Sequence, residues 1–364
     1  MRMKQDAMSF VLEKSKPYQC FGIGRVWVGL KLLVFLGNPS DIEVSKVLVV
    51  ILSSQVHLQK SPEYHMFKPW FGNGLLISSV YVYEWRLCDW TGDKWQAHRK
   101  LIAPTFHLNV LKSFLGQLNA NSKILVERLR KEQLSGKPFD IHDYVAETTV
   151  DTLLGESRAL STCCLPGHDT VAAGTSFLAC ILGYKQDIQE KVVQELYEIF
   201  GDSDRPATFN DTLQMKYLER VILETLRLFP PVPVIARKVT ENVKLASGYT
   251  IPAGTTCIIP QFYLHRLPSV YPNPEEFNPD NFLAENMSKR HYYSFIPFSA
   301  GPRSCVGRKY AMLKMKVMIS TLFRNYRILA DMPYNKFPLQ ADIILKRSDG
   351  FIITIEERRK MVAT

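Results

Sequence analysis

The sequence predicts a mainly α chain with a smaller β part (α+β), and three observations carry that prediction. Apolar residues recur at helical spacing in three long segments: Leu108, Leu111, Leu115, Leu118, Leu125 and Leu129; then Ile188, Val192, Val193, Leu196, Ile199 and Phe200; then Tyr310, Ala311, Leu313, Val317, Met318 and Leu322. Short extended stretches punctuated by glycine lie near the N-terminus (24–36) and in the middle of the chain (238–257). A chain of 364 residues that is 46% apolar and 22% charged can bury a large core. That balance excludes a disordered or fibrous protein.

Composition also bounds the setting. The uncharged, largely apolar runs Val47 to Gln59, Pro69 to Tyr83 and Thr170 to Tyr184 fall short of a bilayer span and none opens the chain, so no anchor or cleavable signal is read from them. Seven cysteines, with no paired spacing beyond the adjacent Cys163 and Cys164, argue against a disulfide framework and for a reducing compartment. The formal charge of +10 favours an acidic partner or surface. The basic residues are scattered without interleaved aromatics, and no nucleic-acid partner is expected.

Along the chain, Gly24 to Gly29 and Leu30 to Leu36 read as two strands ending in the turn Gly37-Asn38-Pro39. Gly22 and Gly24 are not followed by the helix a dinucleotide loop requires. Trp95 and Arg99, four apart, share one face of a short helix limited by Pro104, and so offer an indole N–H and a guanidinium side by side. On its own such a pair is most often a surface cation–π contact. After the leucine-rich helix, Lys131 to Asp143 reads as a connection and Tyr144 to Leu154 as a further helix. Pro166-Gly167-His168-Asp169-Thr170 then precedes the apolar run Val171 to Leu182, in which Gly174 and Gly183 are the only breaks. Read locally it is a helix start, with Asp169 or Thr170 as the cap.

Beyond the helix closed by Gly201, the polar stretch Asp202 to Asp211 is a link. Glu224 and Arg227, three apart on a helix, have apolar flanks on nearly every side, which predicts a buried pair rather than the usual solvated one. Lys238 to Cys257 alternates and turns at Gly248 and Gly254, as paired strands would. Residues 266–300 are rich in Pro, Asn and aromatics and read as a long loop. Asp342 to Leu345 and Phe351 to Ile355 read as a terminal hairpin around Asp349-Gly350.

Chemistry concentrates in Phe298 to Gly307. Gly301 and Pro302 break regular structure and a helix follows from Arg308, so Cys305 is predicted at a helix N-terminus, where the dipole favours a thiolate, with Gly307 allowing a flat group to approach the backbone. A lone cysteine is more often a small buried hydrophobe. The ten-residue setting argues otherwise.

That setting resembles the haem-ligand loop of the cytochrome P-450 family: Phe, two residues, Gly, any, Arg, any, Cys, any, Gly, with every fixed position matched. The resemblance implies a cytochrome P-450 fold, one domain over 1–364 with a β-rich part at 24–60 and a helical haem-binding part at 91–364. It implies that Cys305 is the axial ligand of haem b, pushing electron density toward the iron. Arg303, Trp95, Arg99 and Arg237 would bind haem propionates, and Phe298 and Gly307 would pack beside the ligand. Asp169 and Thr170 would lie on the distal helix and deliver the two protons that O2 reduction consumes. The family's structural Glu-x-x-Arg pair maps to Glu224 and Arg227, locked by Pro279-Asp280-Asn281-Phe282, in which Asn281 stands where most members have Arg.

The wording around Gly167, Leu218 and Pro231 is most similar to the insect members of the fourth family, which oxidise fatty acids. By resemblance the activity is monooxygenation of a fatty acid, hormone or xenobiotic, with electrons from NADPH through NADPH-cytochrome P-450 reductase or cytochrome b5, on the cytosolic face of the endoplasmic reticulum membrane. Arg308, Lys309, Lys314 and Lys316 would meet the acidic electron donor. The chain departs from the family in length: around 155–166 several helices are expected and absent, and 45–50 and 79–90 read as insertions. Pro166 also stands where many members of this branch have a glutamate that esterifies haem. The alternative reading is a catalytically impaired truncated isoform that at most binds haem.

Overall fold

A computed structural model of the protein describes residues 22–44, 99–156, 158–342 and 344–358. Trp95 and the two segments read as insertions lie outside these residues. Contacts divide the chain into two units, one comprising 1–105, 232–274 and 288–306, the other 106–231, 275–287 and 307–364.

The first unit holds the predicted hairpin. Strands β1 (Ile23–Val28) and β2 (Lys31–Leu36) pair antiparallel, Ile23 opposite Leu36 and Val28 opposite Lys31. Gly29 makes the turn at φ 60°, a conformation that costs glycine little. A short helix α1 (Pro39–Val44) follows, with the Asn38 side chain accepting from Ser40 N–H at its start. The middle stretch supplies the rest of the sheet, as alternation predicts. Strand β4 (Ile235–Lys238) pairs antiparallel with β7 (Thr256–Ile259), and β7 pairs parallel with β2, giving the order β1-β2-β7-β4. Val34, Leu36, Ile235, Cys257 and Ile259 pack one face of that sheet against Ile42, Leu264, Ile296 and Ala300, so the approach to the Cys305 loop is anchored in this core.

The second unit is helical. The leucine pattern forms α2 (Leu108–Ser113) and α3 (Leu115–Ser135), separated only at Phe114. Helix α3 continues beyond Lys131 to Gly136, whose left-handed φ of 61° closes it, so the expected connection is shorter than its polar composition suggests. Strand β3 (Phe139–Asp140) leads directly into α4 (Ile141–Glu156), where Asp140 Oδ1 accepts from His142 N–H at 2.8 Å. The helix thus starts three residues before Tyr144.

Helix α5 (Arg158–Tyr184) corrects the local reading of a helix start and agrees with the long helix that the resemblance implies there. It runs through Pro166-Gly167, so Asp169 and Thr170 lie inside a helix and cap nothing. Gly174 and Gly183 do not break it either. Gly183 marks a close approach, where a Cβ would lie 2.9 Å from Ala330 Cβ and 3.0 Å from Ala330 N, whereas one on Gly174 would meet Leu226 at an ordinary 3.5 Å. Phe177 on this helix stacks on Phe229 at 4.6 Å and meets Phe351 edge-on at 4.9 Å.

Helix α6 (Gln186–Phe200) ends at Gly201 as predicted. The polar link then forms α7 (Phe209–Gln214), opened by a capping box in which Thr208 and Asp211 satisfy each other's backbone N–H. The hydrogen-bonded Arg205 guanidinium, helped by the Thr208 amide against the opposing effect of burial, holds the Asp211 carboxyl down at about 2. A carboxyl lowered on folding stabilises above its ordinary value of 3.8, and that contribution disappears as pH falls through about 2. Asp211→Asn should therefore cost about 1–2 kcal/mol at pH 7, with the gap to wild type closing between pH 4 and pH 2 in denaturant titrations. A gap that persists at pH 2 contradicts this account.

Helix α8 (Lys216–Leu228) starts where both Glu195 carboxylate oxygens accept from Tyr217 and Leu218 N–H. Helix α11 (Arg308–Asn325) runs into β8 (Tyr326–Leu329); between α8 and α11 come β5 (Val243–Lys244), β6 (Thr250–Ile251), α9 (Gln261–Leu264) and α10 (Ala284–Ser288), the first three belonging to the first unit. The predicted terminal hairpin does not form. Gly350 does turn the chain at φ 81°, but β10 (Leu345–Arg347) pairs with β9 (Leu339–Ala341), whereas β11 (Ile352–Glu357) pairs with β3 and β8. Among the described residues, no helix is long and apolar enough to cross a membrane.

Candidate functional site

Arg99, Arg237, Phe298, Arg303 and Cys305 all fall in the first unit, brought from three separate stretches of sequence. The backbone of the thiol loop folds on itself. Cys305 N–H donates to Phe298 O at 2.8 Å, and Ser304 N–H donates to Gly301 O at 2.9 Å. Two left-handed residues make this tight path possible, Gly301 at φ 70° and Ser299 at φ 58°, the latter a non-glycine residue in a costly conformation. Upstream, the buried His265 ring accepts from Ile296 N–H at 3.0 Å and fixes the chain entering the loop. Cys305 itself is exposed. It precedes the helix rather than beginning it: α11 starts at Arg308 and its N-cap is Gly307, whose φ of −88° any residue can adopt.

Three guanidiniums share this loop. Arg99, on a helical turn at 99–102, donates from Nη1 to Ser304 O at 2.7 Å. Arg237, buried on β4, donates to Ala236 O at 2.9 Å and lies 3.4 Å from Ser299 Oγ. Arg303 belongs to the loop. Burial, and after it the charges of Arg237 and Arg99, push the Arg303 guanidinium down to about 9. Burial also lowers Arg99, opposed by the nearby Cys305 sulfur. Arg237 Nε and Arg303 Nη1 are buried N–H donors that meet no acceptor among the described residues, although both side chains make other contacts. Mutually repelling cations gathered at one loop fit a ligand that brings more than one carboxylate. The residues present therefore suit a group bearing paired acids beside a thiol ligand.

The remaining predicted residues belong to the second unit. Arg227 and Glu224 are wholly buried and joined by two bonds, Nε to Oε2 at 2.7 Å and Nη2 to Oε1 at 2.8 Å. Arg227 also donates to Glu276 O at 2.8 Å. Glu224 Oε1 accepts from Asn278 N–H at 2.8 Å and from Asn281 Nδ2 at 3.2 Å. Burial raises the Glu224 carboxyl while Arg227 pulls it down. Asn281 thus reaches the pair. Glu276 and Asn278 were missed because they act through the backbone, which leaves no mark in residue type. On α5, Thr170 Oγ1 donates to Gly167 O at 3.0 Å, and Asp169 lies 3.7 Å from Lys346 Nζ and 3.6 Å from His168 Nε2. Lys346 was not foreseen either, since it comes from β10.

The basic cluster on α11 is corrected. Lys314 Nζ donates to Thr149 O, and Lys316 Nζ donates to Thr212 O and to Glu219, all at 2.8 Å, with both lysines buried. They stitch helices together and cannot meet a partner. Arg308 and Lys309 stay exposed.

A family model described as Cytochrome P450 matches residues 18–155 and 158–354. Cytochrome P450 4g15 of Drosophila melanogaster is 36% identical, covering 96% of this chain and 87% of its own length. Cytochrome P450 4g1 of the same organism is 40% identical, covering 92% and 82%, and Cytochrome P450 4V2 of Homo sapiens is 29% identical, covering 98% and 87%. The first of these alignments spans 523 positions against a chain of 364 residues, so at least 159 positions of that relative face a gap here.

Proposed function

The chain belongs to the cytochrome P450 family, and from that premise we propose that it is a haem-thiolate monooxygenase with Cys305 as the iron ligand, inserting one atom of O2 into a C–H bond of a lipophilic substrate such as a fatty acid, hormone or xenobiotic. The observation that carries the reading is an exposed Cys305 on a loop that Arg99 and Arg237 contact and Arg303 helps form. When bound, haem b supplies the iron at which O2 is reduced and split. Arg99, Arg237 and Arg303 would hold its two propionates, the two carboxylates offsetting the mutual repulsion of the three guanidiniums. Phe298 packs beside the ligand loop and Gly307 leaves space for a flat ring. Thr170 holds a proton at Oγ1, now given to Gly167 O, and is a candidate proton donor, while Asp169, its carboxylate beside Lys346, is a candidate relay that takes up a proton and passes it on. Electrons come from NADPH through NADPH-cytochrome P-450 reductase, with cytochrome b5 as a second donor, at the endoplasmic reticulum membrane. Arg308 and Lys309 are the exposed contacts left for that encounter.

A specific observation favours a second reading, a truncated isoform that binds haem without efficient turnover. The family match breaks between 155 and 158, and the alignment with a relative is longer than the chain. The reduced protein with CO should give the red-shifted Soret band of a thiolate ligand; its absence ends the first reading. With the band present, fatty acid, reductase and NADPH should yield hydroxylated product, and failure at that step favours the second.

A further inference from the structure

We propose that Arg99 is a latch on the ligand loop in addition to a propionate donor: by holding the Ser304 carbonyl it fixes the peptide that carries Cys305 before haem arrives. The inference rests on the reading of Cys305 as the ligand. It starts from one peptide unit. The carbonyl of Ser304 and the N–H of Cys305 lie in a single plane because the bond between them does not rotate freely. Both ends of that plane are held, the carbonyl by Arg99 Nη1 at 2.7 Å and the N–H by Phe298 O at 2.8 Å. With the plane pinned twice, the direction of the Cys305 side chain depends on local angles alone.

Loop closure by itself does not provide this. The Cys305–Phe298 and Ser304–Gly301 bonds are neutral, and they must hold Ser299 in a left-handed conformation that disfavours a side-chain-bearing residue. Arg237 reaches the far end of the loop only at 3.4 Å from Ser299 Oγ. The Arg99 bond is short and charge-assisted, the stronger class of hydrogen bond. Its donor sits 205 residues away in sequence, on a separate helical turn. A guanidinium has five N–H donors, so one can stay on Ser304 O while others face a carboxylate. The latch and the propionate role are compatible.

The test uses the haem-free full chain and two variants. Arg99→Met keeps the apolar stem and removes every donor; Arg99→Lys keeps charge and a donor. Hydrogen exchange at the Cys305 amide should be about tenfold faster or more in Arg99→Met, close to wild type in Arg99→Lys, and unchanged in both at β7, which reports that the unit is folded. Haem dimethyl ester, which lacks free carboxylates, should bind Arg99→Met several-fold more weakly than wild type by Soret titration. Unchanged amide exchange together with unchanged diester affinity, while ordinary haem binds more weakly, overturns the latch and leaves a propionate contact only. If wild type binds neither porphyrin, the haem reading fails, and amide exchange still decides whether Arg99 orders the loop.

Discussion

Arg227→Ala is expected to cost about 3–5 kcal/mol, the penalty for stranding a buried charge, against a total stability on the order of 5–15 kcal/mol. The expectation rests on complete burial of both partners and on the number of groups that converge on them. With Arg227 gone, the Glu224 carboxylate keeps only Asn278 N–H and Asn281 Nδ2, and Glu276 O loses its donor. Burial already works against the charged form of Glu224, so the carboxyl would take up a proton or the helix would move. Replacing both residues, as in Arg227→Met with Glu224→Leu, removes the stranded charge and should recover part of the loss. Denaturant midpoints with unchanged slope measure both. A loss below about 1 kcal/mol for the single variant would show that water reaches the pair.

Cys305→Ser is expected to abolish the red-shifted band of the reduced CO complex without abolishing haem binding. A serine hydroxyl stays protonated where a thiol ionises, so it cannot donate charge to iron in the same way. The three guanidiniums are untouched by the change, and their demand for carboxylates persists. Soret titration and the CO spectrum therefore separate: affinity falls modestly, whereas the band shifts. A variant that kept the thiolate band would remove Cys305 from the iron.

The loop at 298–307 was legible because chemistry there fixes residue types at fixed spacing. The burial of Glu224 and Arg227 was legible from the apolar residues on either side. The course of α5 was not. Pro166-Gly167 followed by Asp and Thr carries every local mark of a helix start, yet the helix runs through them into the buried segment Val171 to Leu182. The C-terminal strands failed for a related reason. Gly350 announces a turn, and nothing local says that β11 has partners on both edges from distant sequence. Trp95, read as Arg99's helical neighbour, lies outside the described residues.

The two buried lysines of α11 bear on the field the protein casts into solution. Lys316 is neutralised by Glu219, and Lys314 ends on a backbone carbonyl rather than in water. The positive field close to this helix is therefore weaker than its basic residues suggest, since over a screening length of about 8–10 Å Glu219 offsets Lys316. If an acidic partner docks on this helix as proposed, Arg308 and Lys309 carry most of the electrostatic acceleration, and added salt has correspondingly few charges there to screen.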